Sequence, residues 1–226
     1  KSSLINALLG ERDVLPVGPV PTTDRISILR WGEQSGKMRA GDVDTVFYPS
    51  PLLKKVSFVD TPGLESVFQK HEETTRRFLH RADVVLLVML ATQAMTQRNL
   101  EYLRILQDYG KTVIVVINQS DLLTPEEAEA VRNYVLEQSQ SQLGYKPQVW
   151  LVSARLGMEA RAGAELDEAT WSDSGLYQIE DYVDDQLGDV ARLRQKLQTP
   201  LQITQNVHQA ALEAGRGNQA APDHTQ

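Results

Sequence analysis

Short apolar runs alternate with stretches of helical period along most of the chain. The runs are "ISILRW" (Ile26–Trp31), "KVSFVD" (Lys55–Asp60), "DVVLLVML" (Asp83–Leu90), "TVIVVIN" (Thr112–Asn118) and "QVWLVSA" (Gln148–Ala154). Several are apolar at consecutive positions, as expected of strands covered on both faces. Helical patterns lie between them at Ser3–Leu9, His71–His80, Asn99–Tyr109 and Pro125–Gln142. "LTPEEAEAV" reads as a helix start, with Thr124 as cap, Pro125 in the first turn and Glu126 and Glu127 near the positive end of the dipole. Alternating strands and helices predict an α/β domain, with a mostly parallel sheet and helices on both faces.

The C-terminal part reads differently. Gly157–Asp173 is rich in Ala and Glu and broken by glycine, which fits a helix followed by a loop. From Ser174 a long helical pattern runs to about Leu197, Pro200 interrupts it, and a further helical stretch reaches about Ala214. The last segment, "GRGNQAAPDHTQ", has no apolar period and is expected to be disordered. The expected division is a main domain over 1–188, the start of a helical neck over 189–214 and a tail over 215–226.

Composition narrows the function classes. Net charge is −7, which argues against a basic surface for bulk nucleic-acid binding, so no nucleic-acid partner is expected. The chain has no cysteine, which removes disulfides and thiolate metal sites and suits a reducing cytosol. The apolar run Val84–Ala91 is too short to cross a bilayer as a helix. His71, His80, His208 and His224 have no metal-ligand spacing with nearby carboxylates and read as surface or helix residues. Tyr102, Tyr109 and Trp150 read as packing residues, and "RLRQK" as a solvated helix face.

The chemistry sits at strand ends. The chain opens "KSSLINALLG", which matches the last positions of a phosphate-binding loop, G-x-x-x-x-G-K-[ST], and the helix after it. Lys1 would reach the β- and γ-phosphates, Ser2 would place its hydroxyl on Mg²⁺, and Ser3 would lie in the nucleotide-facing first turn. "FVDTPG" ends a strand in Asp60, a candidate for holding Mg²⁺ through water, and continues to Gly63, whose N–H would meet the γ-phosphate. "INQSD" carries Asn118 and Asp121 in the spacing of the guanine-reading N-K-x-D motif, with Gln119 where many GTPases have Lys. A carboxylate there accepts from both N1–H and the exocyclic amine of guanine, a donor pair that adenine lacks. "LVSAR" places Ser153 and Ala154 where a short loop donates to the guanine O6. The four motifs occur in the order a GTPase requires, and the last three follow strands, where open α/β sheets bind ligands. The expected fold is therefore the phosphate-loop GTPase fold, with GTP as substrate and Mg²⁺ as cofactor. The chain reads as beginning inside its phosphate loop, with a first strand and the loop glycines expected before Lys1. The 226-residue chain by itself is accordingly expected to turn GTP over poorly.

One stretch points further. "VLPVGPVPTTDRISILRWGE" resembles the corresponding segment of bacterial dynamin-like proteins, in which a Leu-Pro-x-G run leads to a switch threonine. Residue-by-residue matching puts that threonine at Thr23, with Thr22 left open beside it. The resemblance implies a role for its hydroxyl on Mg²⁺ and for its backbone in orienting the attacking water. "DTPGLES" has Leu64 near the place where signalling GTPases carry a water-orienting Gln, and dynamins also lack that Gln. "VSARLGMEARAG" and "GLYQIEDYVDDQLGDVARLRQKLQTPLQ" resemble the stretches that lead from the guanine loop to the helical neck. The likeness covers Lys1 to about Leu212 and implies self-association through paired GTPase domains, membrane remodelling, and lipid contact through regions outside this chain. It also implies a cytoplasmic location, peripheral at the inner face of the cell membrane. Two other readings stay open here: an Era-like ribosome-assembly GTPase, and a non-catalytic binding module on a GTPase scaffold.

Overall fold

"TVIVVIN" forms the most completely covered strand among the described residues. In the computed structural model, which describes residues 1–17, 25–41, 43–61 and 79–186, every residue of this strand after Thr112 is buried. The chain divides into two units, Lys1–Glu180 and Asp181–Gln226. Of the second, the described residues are helical, 181–186. The expected neck over 189–214 and tail over 215–226, and most of the helix expected at His71–His80, lie outside the described residues.

The first unit opens with helix α1 (Ser2–Leu9), followed by strands β1 (Ile26–Trp31), β2 (Gly36–Ala40) and β3 (Val43–Tyr48). A short helix α2 (Pro51–Lys55) leads into β4 (Phe58–Asp60). Then come β5 (Val84–Leu90), helix α3 (Gln97–Asp108), β6 (Thr112–Asn118), helix α4 (Pro125–Leu143) and β7 (Gln148–Val152). Helices α5 (Ala154–Ala160) and α6 (Glu168–Ser174) follow, and the unit ends in helical residues 177–180.

The expected α/β fold is present, with its described strands in two sheets. One has the order β2-β3-β1-β4, the other β5-β6-β7. The second is fully parallel, with Leu87 opposite Val115 and Val115 opposite Val149. In the first, β1 and β3 are parallel, while β4 runs antiparallel to β1 and β2 antiparallel to β3. Alternate residues of β6 (Val113, Val115, Ile117) pack with Leu103 and Leu106 of α3 and Val135 of α4. The intervening Ile114 and Val116 are buried too, so β6 is covered on both faces.

Local chemistry explains the elements that differ from expectation. The run expected at Lys55–Asp60 shortens to Phe58–Asp60 because Pro51, at the first turn after extended Ser50, starts a helix that uses Lys54 and Lys55. The run expected to reach Ala154 stops at Val152, because the Ser153 hydroxyl accepts from the Leu156 N–H at 3.1 Å and starts α5. The Ala- and Glu-rich stretch is a helix–loop–helix, its second helix capped by Asp167, which accepts from the Thr170 N–H at 3.2 Å. Helix α4 begins where its sequence predicts: the Thr124 hydroxyl accepts from the Glu127 N–H at 3.2 Å, and Glu127 accepts from the Thr124 N–H at 2.9 Å. Both orphan donors are satisfied reciprocally.

Helix α1 carries the residues nearest the expected phosphates, so its anchoring matters. Leu4, Ala7 and Leu8 are buried, and Ile5 and Leu9 join Leu15, Leu29 and Leu53 in a core cluster. Gly10 takes a left-handed conformation, φ 75°, and ends the helix. Buried Asn6 then fastens the next turns. Its amide donates to the Arg12 and Leu15 carbonyls at 2.6 and 2.8 Å, and its carbonyl accepts from the Leu15 N–H at 2.9 Å.

Candidate functional site

The expected metal end of the site is built from α1 and β4. β4 terminates in Asp60, which is buried, and α1 begins at Ser2. The Ser2 hydroxyl donates to Asp60 Oδ2 at 2.6 Å across 58 positions of sequence. A short, charge-assisted bond of this kind sets two hard oxygen donors side by side. Lys1 stands next to them. The residue as a whole is exposed, yet desolvation around its ammonium pushes its pKa below the ordinary value, and the charge of Asp60 pulls it part of the way back. Ser3 lies in the first turn of α1 and is half-buried. Thr23 and Gly63 lie outside the described residues, as does Thr22.

The expected base end is built from the carboxyl ends of β6 and β7. β6 delivers Asn118, which is buried. Gln119 follows in a left-handed conformation, φ 68°, a conformation that costs an L-residue roughly 1–2 kcal/mol. The kink leads into a turn of 3₁₀ helix over Ser120–Leu122 that contains Asp121. β7 delivers Ser153, fully buried, and Ala154. The Asn118 side chain accepts from the Ala154 N–H at 3.0 Å, which locks the two strand ends together. The Ser153-Ala154 loop is the one expected to donate to guanine O6, and here Asn118 holds its Ala154 N–H.

Asp121 is held by Arg155. Its carboxylate accepts a hydrogen bond from Arg155 Nε at 2.9 Å. Burial pushes the carboxyl pKa up, but the Ser153 hydroxyl and the Arg155 guanidinium more than compensate and hold it below the usual carboxylate value. Arg155 also reaches Glu159 on the next turn of α5, Nη1 to Oε2 at 3.0 Å. Sequence reasoning did not single out Arg155. The one signal was its place immediately after Ser153-Ala154.

The two ends meet through helix packing. Gly157 of α5 lies against Ala7 of α1 and Leu176, and a Cβ at 157 would run into the Leu176 side chain. Behind the base loop, the Ser153 N–H donates to the Ser174 carbonyl at 2.8 Å. Gly175 follows with φ 66°, and a Cβ there would run into the Leu151 carbonyl oxygen. Gly175→Ala is therefore expected to destabilise the protein by about 1–3 kcal/mol. Urea denaturation should show a lower midpoint with an unchanged slope.

Comparison with known proteins decides the family. The model of the dynamin family matches residues 1–48 and 35–120, together more than half of the 226 residues. The chain belongs to the dynamin family. Among dynamin-like relatives and GTPases, it is similar to a probable transmembrane GTPase, FZO-like and chloroplastic, of Arabidopsis thaliana. That protein is 30% identical over 231 residues, 92% of this chain and 25% of the plant protein. Dynamin-like protein 2 of Campylobacter jejuni subsp. jejuni serotype O:23/36 (strain 81-176) is 30% identical over 161 residues, 59% of this chain and 26% of that protein. The chain thus spans about a quarter of the length of these relatives. Its fold is also that of a solved oligomerised bacterial dynamin pair, described as a mechanism for long-range sensing and tethering of membranes. The TM-score is 0.74 at 20% identity, over 96% of this chain and 48% of the other. Among the described residues of this dynamin-family chain, no helix is long and apolar enough to cross a membrane.

Proposed function

We propose that this dynamin-family protein binds and hydrolyses GTP with Mg²⁺, and couples nucleotide-dependent pairing of GTPase domains to membrane remodelling. The observation that carries the reading is the 2.6 Å contact between Ser2 and Asp60, which joins the start of a helix to the end of a strand. A hydroxyl and a carboxylate on rigid elements form a donor set suited to a hard divalent cation that keeps much of its water. Ser2 and Asp60 would hold Mg²⁺, with Thr23 as a third oxygen ligand. When bound, the metal neutralises charge on the β- and γ-phosphates.

The remaining roles belong to the chain's own groups. Lys1 adds a cation at the same phosphates, and the first-turn N–H groups of α1, at Ser2 and Ser3, face the same anion. The Gly63 N–H binds the γ-phosphate, and the Thr23 backbone orients the attacking water. At the other end, Asp121 reads guanine through its N1–H and exocyclic amine, with Asn118, Ser153 and Ala154 holding the base loop in place. The protein acts in the cytoplasm, peripheral at the inner face of the cell membrane, with itself and membrane lipid as partners and no nucleic acid. A neck expected from about residue 189, outside the described residues, would carry the pairing signal onward.

The test compares GTP turnover of the intact protein alone, with liposomes and with RNA. Turnover is expected to rise on liposomes, which concentrate the protein on a surface, and to be indifferent to RNA. Stimulation by RNA with none by liposomes would contradict the membrane role and favour a ribosome-assembly GTPase.

A further inference from the structure

Arg155 occupies an unusual position for an exposed cation. Its side chain is 64% exposed, yet Nε bonds Asp121 Oδ2 at 2.9 Å while Nη1 bonds Glu159 Oε2 at 3.0 Å. The guanidinium is planar and its donors are fixed relative to one another, so two carboxylates in its fork also fix each other. Glu159 lies one helical turn beyond Arg155 on α5, which ties the fork to a rigid element. The Asp121 carboxylate, only 7% exposed, is thereby held by a residue of α5. Gln119, in the place where many GTPases carry a lysine, brings no charge to this end of the site.

We infer that Arg155 is a positioning residue for base selection: it sets the plane of the Asp121 carboxylate so that both oxygens meet guanine's two donors at once. The inference rests on the reading of Asp121 as the guanine reader. Guanine presents N1–H and the exocyclic N–H to one carboxylate, and a two-point contact requires a set rotation about the Cβ–Cγ bond. Hypoxanthine lacks the exocyclic amine and makes a one-point contact, which a freely rotating carboxylate accommodates equally well. Arg155 therefore favours guanine over hypoxanthine more than it favours binding in general. The carboxylate keeps lone pairs free for the base, since two oxygens offer about four acceptor sites and the protein donors use a part of them.

The experiment measures equilibrium binding of GTP and inosine triphosphate to the protein and to its Arg155→Ala, Arg155→Lys, Glu159→Gln and Asp121→Ala variants. For Arg155→Ala, GTP affinity is expected to fall about three- to tenfold and inosine triphosphate affinity by less, so the preference ratio shrinks by about threefold. Arg155→Lys restores charge without the fork and is expected to recover part of the affinity but not the ratio. Glu159→Gln, which weakens only the outer pair, is expected to fall between. High salt should shrink the ratio in the parent protein more than in Arg155→Ala, because the guanidinium side of the pair is exposed. An unchanged ratio in Arg155→Ala, or a full return of the ratio in Arg155→Lys, would overturn the inference. Asp121→Ala separates the two readings. If it abolishes guanine preference while Arg155→Ala changes nothing, only the positioning role fails. If guanine preference survives Asp121→Ala, the guanine reader itself has been misassigned.

Discussion

Replacing Asp60 by alanine is expected to lower Mg²⁺-dependent GTP turnover by roughly 10³-fold or more, since a catalytic metal contributes several kcal/mol to the barrier. Asp60 ends β4, is buried, and bonds Ser2 at 2.6 Å. Its removal would take away the anionic member of the proposed metal's donor set and strand the Ser2 hydroxyl. Asp60→Asn separates chemistry from folding. The amide carbonyl still accepts from Ser2 and matches the carboxylate in shape, but it brings no charge to the cation. This variant should keep the parent's melting temperature to within a few degrees and still lose most of its turnover. Ser2→Ala keeps the carboxylate and removes one neutral donor, so its loss should be smaller, on the order of 10²-fold. Turnover is to be measured across a Mg²⁺ titration. Near-normal turnover of Asp60→Asn at saturating Mg²⁺ would show that the metal sits elsewhere.

Asp121→Asn is the second large effect, because it changes which base the site prefers. In the proposed contact the carboxylate accepts from two guanine donors, and an amide would offer one acceptor and one donor in their place. Xanthine carries a carbonyl where guanine carries its amine, so the amide donor meets an acceptor. GTP preference over XTP is expected to fall by roughly 10²-fold or more and to invert, as in sites that read a substrate through buried polar pairs. The change also removes the ion pair with Arg155, so some affinity for every nucleotide is lost. Competition binding with GTP, XTP and ATP resolves the two effects. If GTP affinity and preference both stay as in the parent, the Asn118–Asp121 turn is not the base reader.

Much of the fold is legible in the sequence where a single physical signal dominates. β6 reads as a strand because six consecutive apolar or Asn positions after Thr112 leave no solvent face. Helix α4 reads from its start because Thr124, Pro125 and Glu127 form a capping box. β2 is illegible for the opposite reason. All five of its residues are exposed, so pairing with β3, not burial, makes it a strand. Asp44 on β3 shows what its polar residues do instead: it is buried, and ion pairs with Lys37 and Arg39 of β2 at 2.8 and 3.1 Å hold it. At the site, motif order supplies the residue types at the strand ends, and the partners come only from the fold. Asn118 reaches Ala154 across 36 positions, and Arg155 reaches Asp121 across 34. Spacing along the chain carries no trace of such bonds.

The central claim is that GTP hydrolysis depends on the pairing of two GTPase domains, each with the Ser2–Asp60 metal end and the Asp121 base reader. With Leu64 near the place of a water-orienting Gln, that contact is proposed to come from the paired GTPase domain, and differential affinity of GTP for the paired state would drive the pairing. The direct measurement is the specific GTPase activity of the intact protein across a broad concentration series. The account predicts a rise with concentration toward a plateau, with the midpoint shifting to lower protein when liposomes are present. A specific activity that stays flat over the whole series, with and without liposomes, would contradict it and leave a solitary nucleotide switch as the better description.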